Sequence, residues 1–264
     1  MRRPPFLPFL AGPPEFAVGL KPLTPEAWLH PDTEAHALPE KRALLAAHRA
    51  DVFAETTGAE AAQIEVAALV GGADFLAAAA MVSDDFCIMQ RLGPEWVLSA
   101  AILCAPTFWS LADNIGKPVA HLHGPVPDNL GPSGAQGLAA RIARVFDAVA
   151  PGVIMERFNW TVQAGPERYT PTQAPLIARA NATSTAQAAD LLHLRVERQT
   201  IQKLPQTGAV LFTIRICLDP LVNAFAVDGA RDAFANAWRG AAAHIRSYKK
   251  WAPLERHVAA LLAE

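Results

Sequence analysis

The hydrophobic positions of this chain change period twice along its length. Between residues 33 and 82 the spacing is helical. Leu38, Leu44 and Leu45 give a helix over about 33–50 a loose apolar stripe, and the alanine-rich stretch 59–82 predicts one or two buried helices broken at Gly71-Gly72. Strand-like segments follow at 86–90 and 96–104. Pro106 to Pro118 punctuates the chain. A clearly amphipathic helix is then predicted over 132–150, with Leu138, Ile142, Val145, Phe146 and Val149 on one face and Pro151-Gly152 as its stop.

From residue 154 the period becomes two. Ile154, Phe158, Trp160 and Val162 point one way, joined by the exception Glu156, while Arg157, Asn159, Thr161 and Gln163 point the other. Two further strands, 192–203 and 209–218, flank Leu204-Pro205-Gln206-Thr207-Gly208, which reads as a hairpin connection. Helices near 229–248 and 253–263 end the chain, the first with Phe234, Trp238, Ile245 and Tyr248 on its core face. Residues 1–32 are proline-rich and irregular, an arm anchored by Phe6, Phe9, Phe16 and Trp28. This order predicts an α+β fold, an antiparallel sheet with helices to one side, formed as one domain over 1–264.

Composition narrows the function classes. The chain is 52% hydrophobic with a formal net charge of -2, so no basic excess points to nucleic acid or to an anionic membrane surface. Apolar runs such as 75–82 are too short to cross a bilayer, and Pro8 breaks the apolar N-terminal stretch. The expectation is a soluble, cytoplasmic protein whose partners are small molecules or proteins. Cys87, Cys104 and Cys217 lie too far apart for a zinc or iron–sulfur set or for covalent haem attachment, and they read as reduced, buried thiols. Neither a Gly-x-Ser-x-Gly elbow nor a Gly-x-Gly-x-x-Gly fingerprint occurs, which counts against a serine hydrolase and a self-contained nicotinamide dehydrogenase.

Two clusters carry candidate chemistry. In His121-Leu122-His123-Gly124-Pro125-Val126-Pro127 the prolines fix the backbone after His123, as an iron-ligating imidazole requires, although a structural turn with a capping histidine has the same pattern. Strand alternation places His193, Arg195, Glu197 and Gln199 on one face, near the polar row of Arg157 and Asn159, with Arg215 beside Thr213 on the partner strand. Guanidinium groups suit planar anions, and a carboxylate among them suits a cationic amine or a proton relay; a solvated face with cross-strand ion pairs is the plainer alternative. Asp84-Asp85 reads as a turn or cap, Trp96, Trp109 and Trp160 as core, and Gly131-Pro132-Ser133-Gly134 as a helix start.

These residues also carry a family resemblance. Gly116-Lys117-Pro118 through His123-Gly124-Pro125-Val126-Pro127, Glu156-Arg157-Phe158-Asn159-Trp160, Arg195-Val196-Glu197-Arg198-Gln199-Thr200 through Leu204-Pro205, and Phe212-Thr213-Ile214-Arg215 resemble, in order, blocks of the haem-dependent oxidative N-demethylase family. Gly19-Leu20-Lys21-Pro22-Leu23 and Trp28-Leu29-His30-Pro31-Asp32 resemble its opening. The resemblance implies a PAS-like sheet with flanking helices that holds haem b, with His123 as axial iron ligand. Arg157, Asn159, Arg195 and Arg215 become candidates for cofactor binding and Glu197 for acid–base or amine-orienting work. The implied activity is O2-dependent demethylation of a small secondary amine of the dimethylamine kind, with formaldehyde released and electrons drawn from NADPH through separate flavin and iron–sulfur reductase subunits. A haem-PAS gas or redox sensor and a haem-free scaffold subunit are the rival readings. The chain departs from the pattern at Cys104-Ala105-Pro106-Thr107, where an aromatic-Pro-Ser is typical, and at Ile216-Cys217, where Thr-Tyr is common.

Overall fold

In the computed structural model of the chain, which describes residues 3–31, 34–127 and 137–263, seven strands form a single antiparallel sheet. They are β1 (Lys21–Leu23), β2 (Phe53–Glu55), β3 (Asp85–Leu92), β4 (Glu95–Ile102), β5 (Ile154–Ala164), β6 (Leu192–Lys203) and β7 (Val210–Pro220), in the spatial order β1-β5-β6-β7-β3-β4-β2. The three long strands lie side by side in the middle. β6 has the boundaries that the alternation predicts. The hairpin between β6 and β7 closes with Leu204 N–H donating to the Ala209 carbonyl at 2.8 Å and with Gly208 at φ 70°, a left-handed position that suits glycine.

Helices cover both faces of the sheet, not one. Nearly every residue of β6 and β7 is buried, so both sets of alternating side chains need a cover. One face packs Trp160, Val162, Leu194 and Val196 against helices Ala230–Gly240 and Glu255–Ala263, and Phe86, Ile88, Ala100 and Ile102 against helices Glu60–Val70 and Phe75–Ala79. The opposite face packs Met89, Leu98, Ile214 and Leu218 under helix Leu138–Ala148, with Phe146 at its centre. Tyr248, expected on the core face of its helix, is 37% exposed and meets Phe16 of the N-terminal arm edge-on at 5.0 Å between ring centroids. Phe9 and Trp28 are buried as expected.

Local rules explain the helix boundaries. Helix Glu60–Val70 ends on Gly71, left-handed at φ 92°. The next helix, Phe75–Ala79, starts at Asp74, whose carboxylate accepts from Ala77 N at 2.7 Å. Between them, a Cβ on Gly72 would fall 2.5 Å from Ala78 Cα, so only glycine lets the two segments meet. The helix expected from residue 33 runs over Ala37–Ala47, with Arg49–Val52 after it. Asp32, Thr33, the Gly131–Gly134 helix start and the first residues of the helix expected from 132 lie outside the described residues.

Glu65 fastens the β6–β7 hairpin to helix Glu60–Val70. Its carboxylate accepts from Gln206 N at 2.7 Å, Thr207 N at 2.9 Å and Thr207 Oγ1 at 2.7 Å, and the residue is 7% exposed. Glu65→Ala leaves two backbone donors without an acceptor and is expected to cost about 2 kcal/mol of stability, read by urea denaturation. A loss within experimental error would show that water replaces the carboxylate at no cost.

Candidate functional site

The register of the central strands assembles the site. Arg157 stands opposite Gln199, Asn159 opposite Glu197 and Thr161 opposite Arg195, so these six side chains share one face. The same face continues across β7 as Ile214, Ile216 and Leu218. The polar row therefore borders the apolar layer under helix Leu138–Ala148, with Thr161, Arg195 and Glu197 buried and Arg157, Asn159 and Gln199 half-buried.

Glu197 sits at the centre of a hydrogen-bonded chain and is 9% exposed. Its Oε2 accepts from Gln199 Nε2 at 2.7 Å and from Asn159 Nδ2 at 3.3 Å. Asn159 Oδ1 in turn accepts from Lys249 Nζ at 3.0 Å, and the same ammonium donates to the Trp160 carbonyl at 2.8 Å. Burial pulls the Lys249 ammonium down to about 8, with the Glu197 carboxylate acting the other way. The sequence reading missed Lys249. A lysine pair just after a helix has no local mark that separates it from solvated surface lysines; only the tertiary fold swings it over β5. Arg157 adds a second cation. Its Nε is buried without a hydrogen-bond partner, and burial lowers its pKa while Glu197 opposes the shift.

His123 reaches this region from the end of the short helix Val119–Leu122. Its Nδ1 lies 2.9 Å from the Val119 carbonyl oxygen. A carbonyl only accepts, so Nδ1 carries the proton and Nε2 keeps its lone pair. Burial depresses the imidazole pKa and the Arg157 cation depresses it further, which keeps the ring neutral. His121, by contrast, is exposed. Among the described residues no group of three His, Cys, Asp or Glu converges on a metal position. A lone neutral imidazole fits a metal whose other ligands come from a macrocycle, and it fits poorly an ion that needs several protein ligands.

The other candidates are engaged elsewhere. Arg195 is 0% exposed, and its donors go to Thr107 Oγ1, Gln163 Oε1 and the carbonyls of Ala105, Pro106 and Arg168. Burial lowers its pKa to about 10, against the pull of Glu197, which leaves it cationic at neutral pH. It clamps two loops and has no donor left for a bound anion. Arg215 projects from the opposite face of the sheet, because β7 alternates with Ile214 and Ile216. There it donates to Asp84 Oδ2 and to the His30 carbonyl at 2.8 Å. Arg195 and Arg215, both expected among the cofactor-binding residues, direct their donors to these partners. His193 is 8% exposed, with Nδ1 3.2 Å from the Leu191 carbonyl. Asp84-Asp85 is not a surface turn: Asp84 pairs with Arg215, and Asp85 accepts the backbone N–H groups of Cys104 and Ala105 at 2.8 and 2.7 Å. All three cysteines are buried free thiols, and burial pushes Cys217 up to about 11 and Cys104 up to about 12.

Fold and cluster define a mixed α+β protein that carries a neutral imidazole, an unpaired buried guanidinium and a hydrogen-bonded carboxylate on one face of an antiparallel sheet. Residues 73–259 match the family model described as haem-dependent oxidative N-demethylase, alpha subunit-like, and the chain belongs to that family. The matched span includes every residue of the cluster. No helix among the described residues is long and apolar enough to cross a membrane.

The buried lysine gives a pH signature. Its folded pKa, about 8, lies below the ordinary lysine value, so the unfolded chain binds more protons between about pH 8 and 10.5. Stability contributed at Lys249 should therefore rise with pH across that window. Relative to Lys249→Met, the wild type should gain on the order of 3 kcal/mol from pH 8 to 10.5, measured by denaturant titration. A flat difference would mean that water reaches the ammonium.

Proposed function

We propose that residues 1–264 form one PAS-like, haem b-binding domain of a cytoplasmic, O2-dependent N-demethylase acting on a small secondary amine. One observation carries this reading: His123 is held with its Nδ1 proton on the Val119 carbonyl and its Nε2 lone pair uncommitted, beside Arg157, whose Nε has no partner. The residues fit haem. His123 would ligate the iron through Nε2, and Arg157 would meet a propionate, which supplies the acceptor that its orphaned donor lacks. Asn159 stays in the site through its bond to Glu197, while Arg195 and Arg215 hold the scaffold.

The chemistry supplied by bound haem is oxidation of an N-methyl carbon by O2, with two electrons reaching it from NADPH through separate flavin and iron–sulfur reductase subunits. The carbinolamine so formed collapses to formaldehyde and the demethylated amine. The chain's own residues manage the amine. Glu197 attracts the substrate ammonium and accepts its proton, since a carboxylate in a water-poor pocket does both. Gln199 and Asn159 hold Oε2, and among the described residues no hydrogen bond to Oε1 competes with the substrate. Lys249 fixes which end of the Asn159 amide faces Glu197: its ammonium can bond only to Oδ1, which turns Nδ2 toward the carboxylate. Lys249 is thus a positioning residue.

Purified protein supplied with haem should show a Soret band that His123→Ala abolishes or strongly shifts and His121→Ala leaves intact. Saturating haem with no Soret change would sink the reading. Glu197→Gln should keep the Soret band and the melting temperature while formaldehyde released per bound haem falls at least about tenfold. Turnover per haem near that of the wild type would remove Glu197 from the mechanism. NADPH alone should support no turnover by the isolated chain until a reductase is added.

A further inference from the structure

Beside the Glu197 cluster, the edge of β5 is bordered by the N-terminal arm and by the segment that follows helix Ala243–Tyr248. β1 pairs with β5 only as far as Lys21 opposite Glu156, so the arm leaves the sheet at the level of Arg157. Leu20 packs with Met155 into the apolar layer on the face that carries the cluster. Phe16, further back in the arm, reaches helix Ala243–Tyr248 instead. Phe16 lies outside residues 73–259, so membership of the family assigns it no role.

Arm and helix meet as an aromatic corner. The Phe16 and Tyr248 rings stand at 90° with their centroids 5.0 Å apart, and the His244 ring lies 6.0 Å from Phe16. Tyr248 is 37% exposed and Phe16 is half-buried, so part of the corner stays open. Rings at a right angle can turn their electron-rich faces toward one cation.

The corner adjoins the Glu197 cluster. Tyr248 immediately precedes Lys249, whose ammonium holds Asn159 Oδ1, and Asn159 Nδ2 in turn donates to Glu197. Burial raises the pKa of the Tyr248 phenol and the Glu197 charge raises it further, so the phenol is neutral and lies within the field of that carboxylate. Of the two Glu197 oxygens only Oε2 is hydrogen-bonded among the described residues. Carboxylate and rings suit different parts of one ligand. A carboxylate accepts N–H groups, while a ring face attracts the N-methyl groups over which an ammonium spreads its charge.

We propose that Phe16 and Tyr248 are specificity-determining residues of the amine site, their rings taking the N-methyl groups of the ammonium whose N–H groups point to Glu197. The proposal rests on the function given above and adds the surface that selects a methylated amine.

The test is calorimetric titration of the full haem-loaded chain with dimethylammonium chloride at fixed ionic strength. Phe16→Leu and Tyr248→Leu keep apolar bulk but remove the ring. Each should weaken binding about fivefold while the Soret band and the melting temperature stay unchanged. Tyr248→Phe keeps the ring and should bind within about twofold of the wild type. A lower melting temperature with unchanged affinity in Phe16→Leu would make that ring a mere anchor of the arm and overturn the proposal. Binding by Tyr248→Phe as weak as by Tyr248→Leu would also overturn it, since the hydroxyl and not the ring would then make the contact. Glu197→Gln separates the corner from the function. If it abolishes binding while both leucine variants bind like the wild type, the corner is refuted and the function stands. If both leucine variants weaken binding and Glu197→Gln does not, the rings hold the amine away from Glu197, which overturns the proposal and removes Glu197 from amine binding. No binding by the wild type up to about 10 mM would overturn the corner and the amine site together.

Discussion

β6 carries two arginines on opposite faces, Arg195 and Arg198, that are 0% and 2% exposed. Placing a guanidinium inside a protein costs several kcal/mol unless each N–H finds an acceptor. Both find them, and the segments that supply the acceptors are thereby located. Arg195 draws in the loops around Ala105–Thr107 and Arg168. Arg198 takes the carbonyls of Ala27 and Trp28, at 2.6 and 2.7 Å, and the Glu156 carboxylate. The N-terminal arm is therefore tied to the sheet by the side of β6 that does not face the cluster. The same pairing explains why Glu156 interrupts an apolar face of β5. Arg157 breaks this pattern, since its Nε is buried without a hydrogen-bond partner.

Alternation explains what the run Arg195-Val196-Glu197-Arg198-Gln199-Thr200 does. Its odd-numbered members, Arg195, Glu197 and Gln199, face the cluster. Arg198 and Thr200 face the arm, and Thr200 Oγ1 meets both the Trp28 indole N–H at 3.2 Å and Thr213 Oγ1 at 2.7 Å. Arg215 belongs with this second set. A sequence shows which residues share a face within one strand, but the face of a neighbouring strand depends on register. Arg215, expected beside Thr213 on the partner strand, pairs with Arg198 and so stands on the face opposite Glu197.

The long strands β5, β6 and β7, the helix over Leu138–Ala148 and the break at Gly71-Gly72 were legible because each spans enough residues for a period to repeat. The three-residue strands β1 and β2 repeat nothing, and their pairing with β5 and β4 is set by neighbours distant in sequence. Helix Ala174–Ala182, short and half alanine-like in composition, also left no readable signal. Of the cluster, Arg157, Asn159 and Glu197 were visible as residue types on predicted strands, and His123 as a histidine in a proline-fixed segment. Lys249 was not, because its role exists only through a contact 90 residues away in sequence. Of the departures Cys104-Ala105-Pro106-Thr107 and Ile216-Cys217, also visible in the sequence, the structure puts Cys104, Ala105 and Ile216 on the wall of one cavity and Cys217 in the core of the other face.

The electrostatic balance of the cluster follows from Asn159. Lys249 and Glu197 do not pair directly; the Asn159 amide between them passes the interaction on, accepting from the ammonium and donating to the carboxylate. A direct pair would occupy the carboxylate with a cation and leave little attraction for a second one. With a neutral amide interposed, Glu197 Oε2 accepts from two neutral donors, Asn159 Nδ2 and Gln199 Nε2. Arg157 meanwhile interacts electrostatically with both His123 and Glu197, and on His123 it favours the neutral imidazole. The Arg157 cation, whose Nε has no hydrogen-bond partner, thus links the imidazole electrostatically to the carboxylate.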